Sequence, residues 1–178
     1  MDKKYVFPDK SVLVNHLYNR LSNPTFVKVQ KSLYLLWAYY AGTYATLESA
    51  AVYPRELFEP DFYAFRYGPV DLKVLAEQKA NKYSKKTGKA YVPTKNVDKE
   101  VLDFIDDLLE DFNSDSFNDF EFIARVRQDR SYTKTYNKQK NGKMNPESIK
   151  DEYARKIRDE ILDAEYESLR QEKKIDDR

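Results

Sequence analysis

The sequence predicts a mainly α-helical protein, a single compact domain of about six helices with one short extended segment or small hairpin. Apolar residues recur at intervals of three and four over several long stretches, which is the period of a helix with one buried face. Proline and asparagine precede several of these stretches, as they do where helices begin. Only 4 glycines occur among 178 residues, which leaves few of the turns that a β-barrel needs.

The apolar periodicity places six helices in chain order. They are predicted at 9–22, 24–46, from Pro69 onward, 98–112, 116–128 and 146–172. The second is apolar on nearly all sides, so we expect it at the centre of the core. We expect a helical domain over residues 1–155 and a charged C-terminal helix over 146–178 that packs on this domain or extends it.

Helix starts are predicted from asparagine or glycine followed by proline, because proline loses nothing where the backbone amide is unpaired. The three pairs are Asn23-Pro24, Gly68-Pro69 and Asn145-Pro146. The fifth helix is expected to bury one apolar face, formed by Phe117, Phe120, Ile123 and Ala124.

Three segments do not follow a helical period. Residues 58–67 alternate in part and predict one short strand or an extended loop. Residues 82–94 predict a basic loop or small hairpin around Gly88, and residues 125–143 predict a second basic loop.

Composition argues against most catalytic chemistry. The chain has no cysteine, which excludes disulfides and thiolate sites. Its one histidine, His16, has no acidic residue three or four positions away, and we expect a surface or capping role for it. Residues 111–119 carry alternating oxygen donors but lack the glycine and glutamate of a calcium loop. We therefore expect no enzyme activity, no metal and no cofactor.

No apolar run approaches the ~20 residues that a membrane-spanning helix needs. The N-terminal segment MDKKYVF has no apolar signal-peptide core. We expect a cytoplasmic protein.

The formal net charge of +1 conceals strong charge blocks. Residues 73–97 carry +6, residues 98–121 carry −9, residues 122–146 carry +6 and residues 147–178 carry −3. Such blocks either compensate one another as solvated faces or steer a partner. Both interpretations stay open at the level of sequence.

Two motifs resemble a known family. Val27–Tyr34 (VKVQKSLY) and Phe65–Val70 (FRYGPV), in that order, resemble the SocA-like antitoxin domain, also called Panacea. The segments that approach and follow the second motif are also similar to it, at Leu57–Phe62, Phe122–Tyr136 and Met144–Tyr153. Arg127 stands where the family has a histidine, and Phe65 and Tyr132 stand where it has tryptophans.

The resemblance implies a non-enzymatic cytoplasmic domain, found in bacteria and on phages or mobile elements, that neutralises a toxin or another effector protein by binding it. One alternative is a phage-encoded inhibitor of a host defence component. Another is a nucleic-acid-binding regulator that uses the basic segments 82–95 and 125–143, where lysine and arginine alternate with tyrosine.

Two groups of residues are predicted to contact the partner. The acidic helix is expected to occupy a basic partner surface through Asp103, Asp106, Asp107 and Glu110. The motif residues expected to contribute are Gln30, Lys31, Tyr34, Arg66, Tyr67, Arg127 and Tyr132. For Gln30 an architectural role is the alternative, since its amide could pair with backbone at the Tyr67-Gly68-Pro69 turn. The oligomeric state stays open, because the C-terminal helix could pair with another helix or fold back.

Overall fold

The protein is described by a computed structural model that covers residues 3–44, 49 and 51–176. Over these residues the chain forms seven α-helices and one two-stranded hairpin, which confirms the predicted class. The elements are α1 (Ser11–Arg20), α2 (Phe26–Thr43), β1 (Phe62–Phe65), β2 (Gly68–Asp71), α3 (Leu72–Lys79), α4 (Asn96–Phe112), α5 (Asp119–Arg127), α6 (Arg130–Lys138) and α7 (Pro146–Asp176). The end of the second predicted helix, residues 45–46, lies outside the described residues.

Helix α2 is the centre of the core, as its sequence predicts. Leu33, Leu36 and Trp37 are fully buried, and α2 packs against α1, α3, α4, α5, α7 and β2. The Trp37 indole N–H donates to the Phe58 carbonyl at 3.0 Å, so even this buried ring is satisfied.

The first part of α7 packs tightly on α2. A Cβ on Gly42 would lie 2.8 Å from the backbone carbon of Tyr153, so the two helices approach closely at this glycine. Ile149 and Tyr153 are fully buried there. From residue 158 to residue 175 every side chain of α7 is exposed, so the helix both packs on the domain and extends from it.

Strands β1 and β2 form an antiparallel hairpin in which Phe62 faces Asp71 and Phe65 faces Gly68. Residues 141–144 run along the other edge of β1. The Ala64 amide donates to the Gly142 carbonyl, and the Met144 amide donates to the Phe62 carbonyl, both at 2.8 Å. The strand is thus paired on both edges.

Two predicted helix starts are wrong. Pro69 lies in β2, because hairpin pairing takes residues 68–71, and α3 begins after Asp71, whose carboxylate accepts from the Val74 amide. Thr25, not Asn23, caps α2, since its hydroxyl accepts from the Lys28 amide. The third start is confirmed, because α7 begins at Pro146.

The segment 125–143 is not a loop. It contains the end of α5, the whole of α6 and the turn that leads to residues 141–144. Residues 82–94, in contrast, contain neither helix nor strand, as predicted.

Phe120 is not a core residue. Its side chain is 81% exposed, because α5 begins at Asp119 and turns Phe122 and Val126 inward instead. Phe117 lies before the helix and packs against the Phe122 ring, with the centroids 5.1 Å apart.

Candidate interaction surfaces

Buried polar side chains bind the backbone of the turn between β1 and β2. Gly68 has φ +108°, and a Cβ there would lie 2.6 Å from Val126 Cγ2, so the position requires glycine. The Lys31 ammonium donates to the Pro69 carbonyl at 2.9 Å. The Tyr132 hydroxyl donates to the Phe65 carbonyl at 2.5 Å, so the turn carbonyls are satisfied by side chains of two helices.

Lys31 is only 2% exposed, and no carboxylate in the described part of the chain pairs with it. Burial lowers its pKa to about 7, because water cannot solvate the charged form. Its role in this fold is to bind the turn.

Gln30 pairs with both backbone groups of Asp71. The Asp71 amide donates to Gln30 Oε1 at 2.9 Å, and Gln30 Nε2 donates to the Asp71 carbonyl at 3.2 Å. The Asp71 carboxylate in turn accepts from Lys10 at 2.5 Å. Gln30 thus has an architectural contact, but its partner is the backbone of Asp71 and not the Tyr67-Gly68-Pro69 turn.

Asp129 joins three helices at a second buried centre. Its carboxylate accepts from the hydroxyls of Tyr34 and Tyr153 and from the Lys156 ammonium, each at 2.7 Å. Burial raises the pKa of both tyrosines well above the usual range, and the Asp129 charge adds to the effect. Sequence reasoning missed Asp129, although it is the one acidic residue in the basic block 122–146.

Four of the predicted contact residues are thus buried structural groups. They are Gln30, Lys31, Tyr34 and Tyr132, all at most 3% exposed. Their burial argues against direct contact with a partner.

The exposed part of the motif is a small basic and aromatic patch. Tyr67 is 55% exposed at the tip of the hairpin, and the Arg66 guanidinium lies 5.4 Å from the centre of its ring. Arg127, also exposed, approaches the Tyr132 hydroxyl below the turn. We call Arg66, Tyr67 and Arg127 the turn patch.

Of the two tyrosines in the basic segment 125–143, Tyr132 is buried and Tyr136 is half-buried. Tyr132 is 2% exposed, and its ring stacks on Tyr136 with the centroids 5.6 Å apart. Tyr132 therefore cannot stack on a nucleic-acid base in this fold, which contradicts that part of the nucleic-acid hypothesis.

The acidic helix α4 presents a separate surface. The carboxylates of Asp103, Asp107 and Glu110 are exposed, and none forms an ion pair or hydrogen bond within the described part of the chain. We call these three residues the acidic face. Asp106, the fourth predicted residue, is half-buried and bonded to His16.

The prediction of a surface or capping role for His16 is wrong. The ring is fully buried, its Nδ1 accepts from the Tyr91 amide at 2.9 Å, and Nε2 lies 2.8 Å from Asp106 Oδ1. Because Nδ1 is an acceptor, the neutral ring carries its proton on Nε2 and donates it to Asp106. Burial lowers the His16 pKa, which favours this neutral form. Asp106 lies 90 positions along the chain, beyond any local pattern.

The acidic block 98–121 is not neutralised directly by the two basic blocks that flank it in sequence. Six ion pairs of lysine or arginine with a carboxylate occur among the described residues, and none joins the acidic block 98–121 to either flanking basic block. Asp98, for example, pairs with Lys3. The acidic face is therefore directed to solvent without compensating cations from those blocks.

Phe120 adds an exposed aromatic ring near the end of the acidic block. It lines a cleft together with Asp115, Asp119 and Lys28. The sequence carries a signal for this position, because an N-cap at Asn118 would have set the phase of α5 and placed Phe120 outside.

No group of three or more histidine, cysteine, aspartate or glutamate residues in the described ranges is arranged to hold a metal ion. None of the helices described here is both long enough and apolar enough to cross a membrane.

Comparison of the chain with protein-family models, curated proteins and solved structures finds no match. The resemblance to the SocA-like antitoxin domain stays a prediction.

Proposed function

We propose that this chain is a non-enzymatic, antitoxin-like protein that neutralises a toxin or another effector protein by covering a basic surface of it. The observation that carries the proposal is the acidic face of α4. Asp103, Asp107 and Glu110 are exposed and have no ion-pair or hydrogen-bond partner among the described residues, although basic blocks flank them in sequence.

An unpaired acidic face suits recognition of a basic protein for two physical reasons. It attracts a positively charged partner over a distance of about 10 Å, the screening length at 0.1 M salt. It also repels acidic proteins, which gives specificity. A protein whose basic surface normally binds nucleic acid would be blocked sterically, with no turnover and no cofactor.

Phe120 offers an apolar contact that would add affinity to the attraction between charges. Exposed charge pairs contribute little affinity, whereas aromatic side chains that fill a partner pocket dominate many interfaces. Its 81% exposed ring lines a cleft with Asp115 and Asp119, at the end of the same acidic block in sequence.

A co-expression experiment tests the proposal. Genes adjacent to that of this chain are induced one at a time, and those that arrest growth are co-induced with the chain. We expect rescue by the wild type and loss of rescue by the triple variant Asp103→Lys, Asp107→Lys, Glu110→Lys.

The matched control reverses three exposed carboxylates elsewhere, Glu59→Lys, Glu147→Lys and Asp151→Lys, which changes net charge equally. We expect this control to rescue. A growth-arresting neighbour that the chain does not rescue, or rescue that survives the α4 reversals, contradicts the proposal. Protection of a phage against a host defence component, lost in the same triple variant, would identify the inhibitor alternative.

The turn patch supports a second candidate, binding of nucleic acid. Arg66 is exposed beside the Tyr67 ring, and Arg127 is exposed near Tyr132, whose hydroxyl binds the same turn. A gel-shift titration at two salt concentrations tests it, with Arg66→Glu and Arg127→Glu as the disabling changes. Salt-sensitive binding that both changes remove supports this candidate, and no shift at micromolar protein excludes it.

A further inference from the structure

The free half of α7 carries an apolar stripe that the domain leaves uncovered. Every side chain from residue 158 to residue 175 is exposed, and Ile161 and Ile175 are 55% and 72% exposed. Most of the stability of a helix in a protein comes from packing of its apolar face, and this part of α7 has no such packing against the domain. We therefore expect another helix to pack against this stripe.

The stripe has the spacing of a two-helix seam. Its members follow one another at alternating intervals of three and four residues. They are Ile157, which is half-buried at the edge of the domain, and the exposed residues Ile161, Ala164, Ser168, Gln171 and Ile175, of which Ser168 and Gln171 are polar. This is the a and d pattern of a coiled coil. At 1.5 Å per residue the seam is about 27 Å long.

We propose that the seam binds the same seam of a second copy of this chain, with the two helices antiparallel. A second copy is indicated because the seam is complementary to itself when it is related by a two-fold axis near residue 166. Antiparallel pairing places Ile157 against Ile175 and Ile161 against Gln171 of the other copy. Ala164 and Ser168 meet at the centre, where small side chains permit a close approach.

The charges beside the seam favour this direction. In antiparallel coiled coils the flanking e positions face one another, as do the flanking g positions. Arg158 then faces Glu172 of the other copy, and Glu160 faces Lys174. The two-fold axis repeats both, which gives four attractive pairs.

The same pairing leaves two like-charge contacts near the axis. Glu165 faces Glu165 of the other copy, and Glu167 faces Glu167 of the other copy. Arg170 of the same helix lies 3.8 Å from Glu167 and relieves part of the repulsion there. The balance is four attractive contacts against two repulsive ones.

Parallel pairing reverses that balance. In a parallel coiled coil each g position faces the e position five residues later in the partner. Glu160 would then face Glu165, and Glu167 would face Glu172, each twice. All four contacts would be repulsive, so the sequence discriminates between the two directions.

Adjacent substitutions provide a matched test of the seam. Ile161 and Leu162 are 55% and 54% exposed, but only Ile161 belongs to the stripe. Sedimentation equilibrium of the full chain from about 1 to 300 µM should show reversible formation of a species of twice 21.1 kDa. We expect Ile161→Glu to abolish it and Leu162→Glu to leave it intact, since neither side chain supports the fold of the monomer.

A wild type that stays monomeric throughout, or forms a larger assembly, overturns the proposal. So does an equal effect of the two glutamates, which would place the contact elsewhere on the helix.

Charge exchange and cross-linking test the direction. Glu160→Lys or Lys174→Glu alone should raise the dissociation constant about tenfold, because each makes two like-charge pairs. The two together should restore it.

The absence of native cysteine permits clean cross-linking. Chains with Ile161→Cys and chains with Gln171→Cys should form a disulfide dimer under oxidation only when mixed. A dimer formed by either chain alone indicates parallel pairing and overturns the assignment.

Discussion

Polar residues on the apolar helix α2 hold distant parts of the chain. Gln30 binds the backbone of Asp71, Lys31 binds the turn and Tyr34 binds Asp129. A polar group in a core must find a hydrogen-bond partner, so its presence in an apolar run indicates a tertiary contact. The sequence identifies such polar residues, and for Gln30 it also indicates a backbone partner near the turn. It does not identify Asp129 as the partner of Tyr34.

Lys31 makes stability depend on pH. The folded-state pKa is about 7, against the usual 10.5 in an unfolded chain. Between these values the unfolded chain binds more protons, so stability rises with pH. From pH 7 to pH 9 we expect the wild type to gain about 2–3 kcal/mol relative to Lys31→Met, measured by urea unfolding.

The exposed lysine variant Lys138→Met is the control and should show the wild-type dependence. A difference between wild type and Lys31→Met that does not change with pH would contradict the burial of a titrating ammonium.

Gly68→Ala should destabilise the fold by about 2–4 kcal/mol, since it combines a left-handed backbone with a contact that is too close. The new methyl would lie 2.6 Å from Val126 Cγ2. Thermal and urea unfolding measure the loss. Arg66→Ala, two residues earlier and exposed, should change stability by less than about 0.5 kcal/mol. Equal stability of the two variants would show that the turn has another conformation.

At the scale of elements, helices with an apolar face were predictable and those held by tertiary polar contacts were not. The central position of α2 and the start of α7 follow from periodicity and from Asn145-Pro146. Helix α6 has the sequence RSYTKTYNK, without a clear apolar run. Its first amides donate to Glu152 of α7, at 2.7 Å from Arg130 and 3.1 Å from Ser131, so another helix supplies its cap.

The hairpin was only half predictable. Alternation indicates β1, but β2 is the short segment GPVD, and its pairing depends on the glycine turn and on buried Lys31. A proline after glycine is equally compatible with a helix start, so local rules gave the wrong element there.

The contact of α2, α6 and α7 at Asp129 supplies a prediction for these elements. Asp129→Ala should cost about 3–5 kcal/mol, because it leaves the Lys156 cation and two buried hydroxyls without their acceptor. Tyr34→Phe removes one donor to the same carboxylate and should cost about 1 kcal/mol. Urea unfolding of both variants tests this order, and an equal or reversed cost would show that Asp129 does not join the helices.

For the whole molecule, the net charge is a poor indicator of which partners the protein can bind, and the distribution of charge along the chain is a better one. The block pattern was visible in the sequence, and so was the acidic face of α4. Whether the blocks compensate one another depends on distances across the fold, which sequence does not provide. The burial of Tyr132 was hidden for the same reason, since it depends on how α6 is oriented in the fold.

The central claim is that the acidic face of α4 binds a basic effector. The most direct measurement is the dissociation constant for the effector that the chain neutralises, by calorimetry, for wild type and for Asp103→Lys, Asp107→Lys, Glu110→Lys. At low salt we expect the triple variant to bind at least about 100-fold more weakly, with a smaller difference near 0.5 M salt because exposed charges are screened. Equal dissociation constants at low salt would contradict the claim.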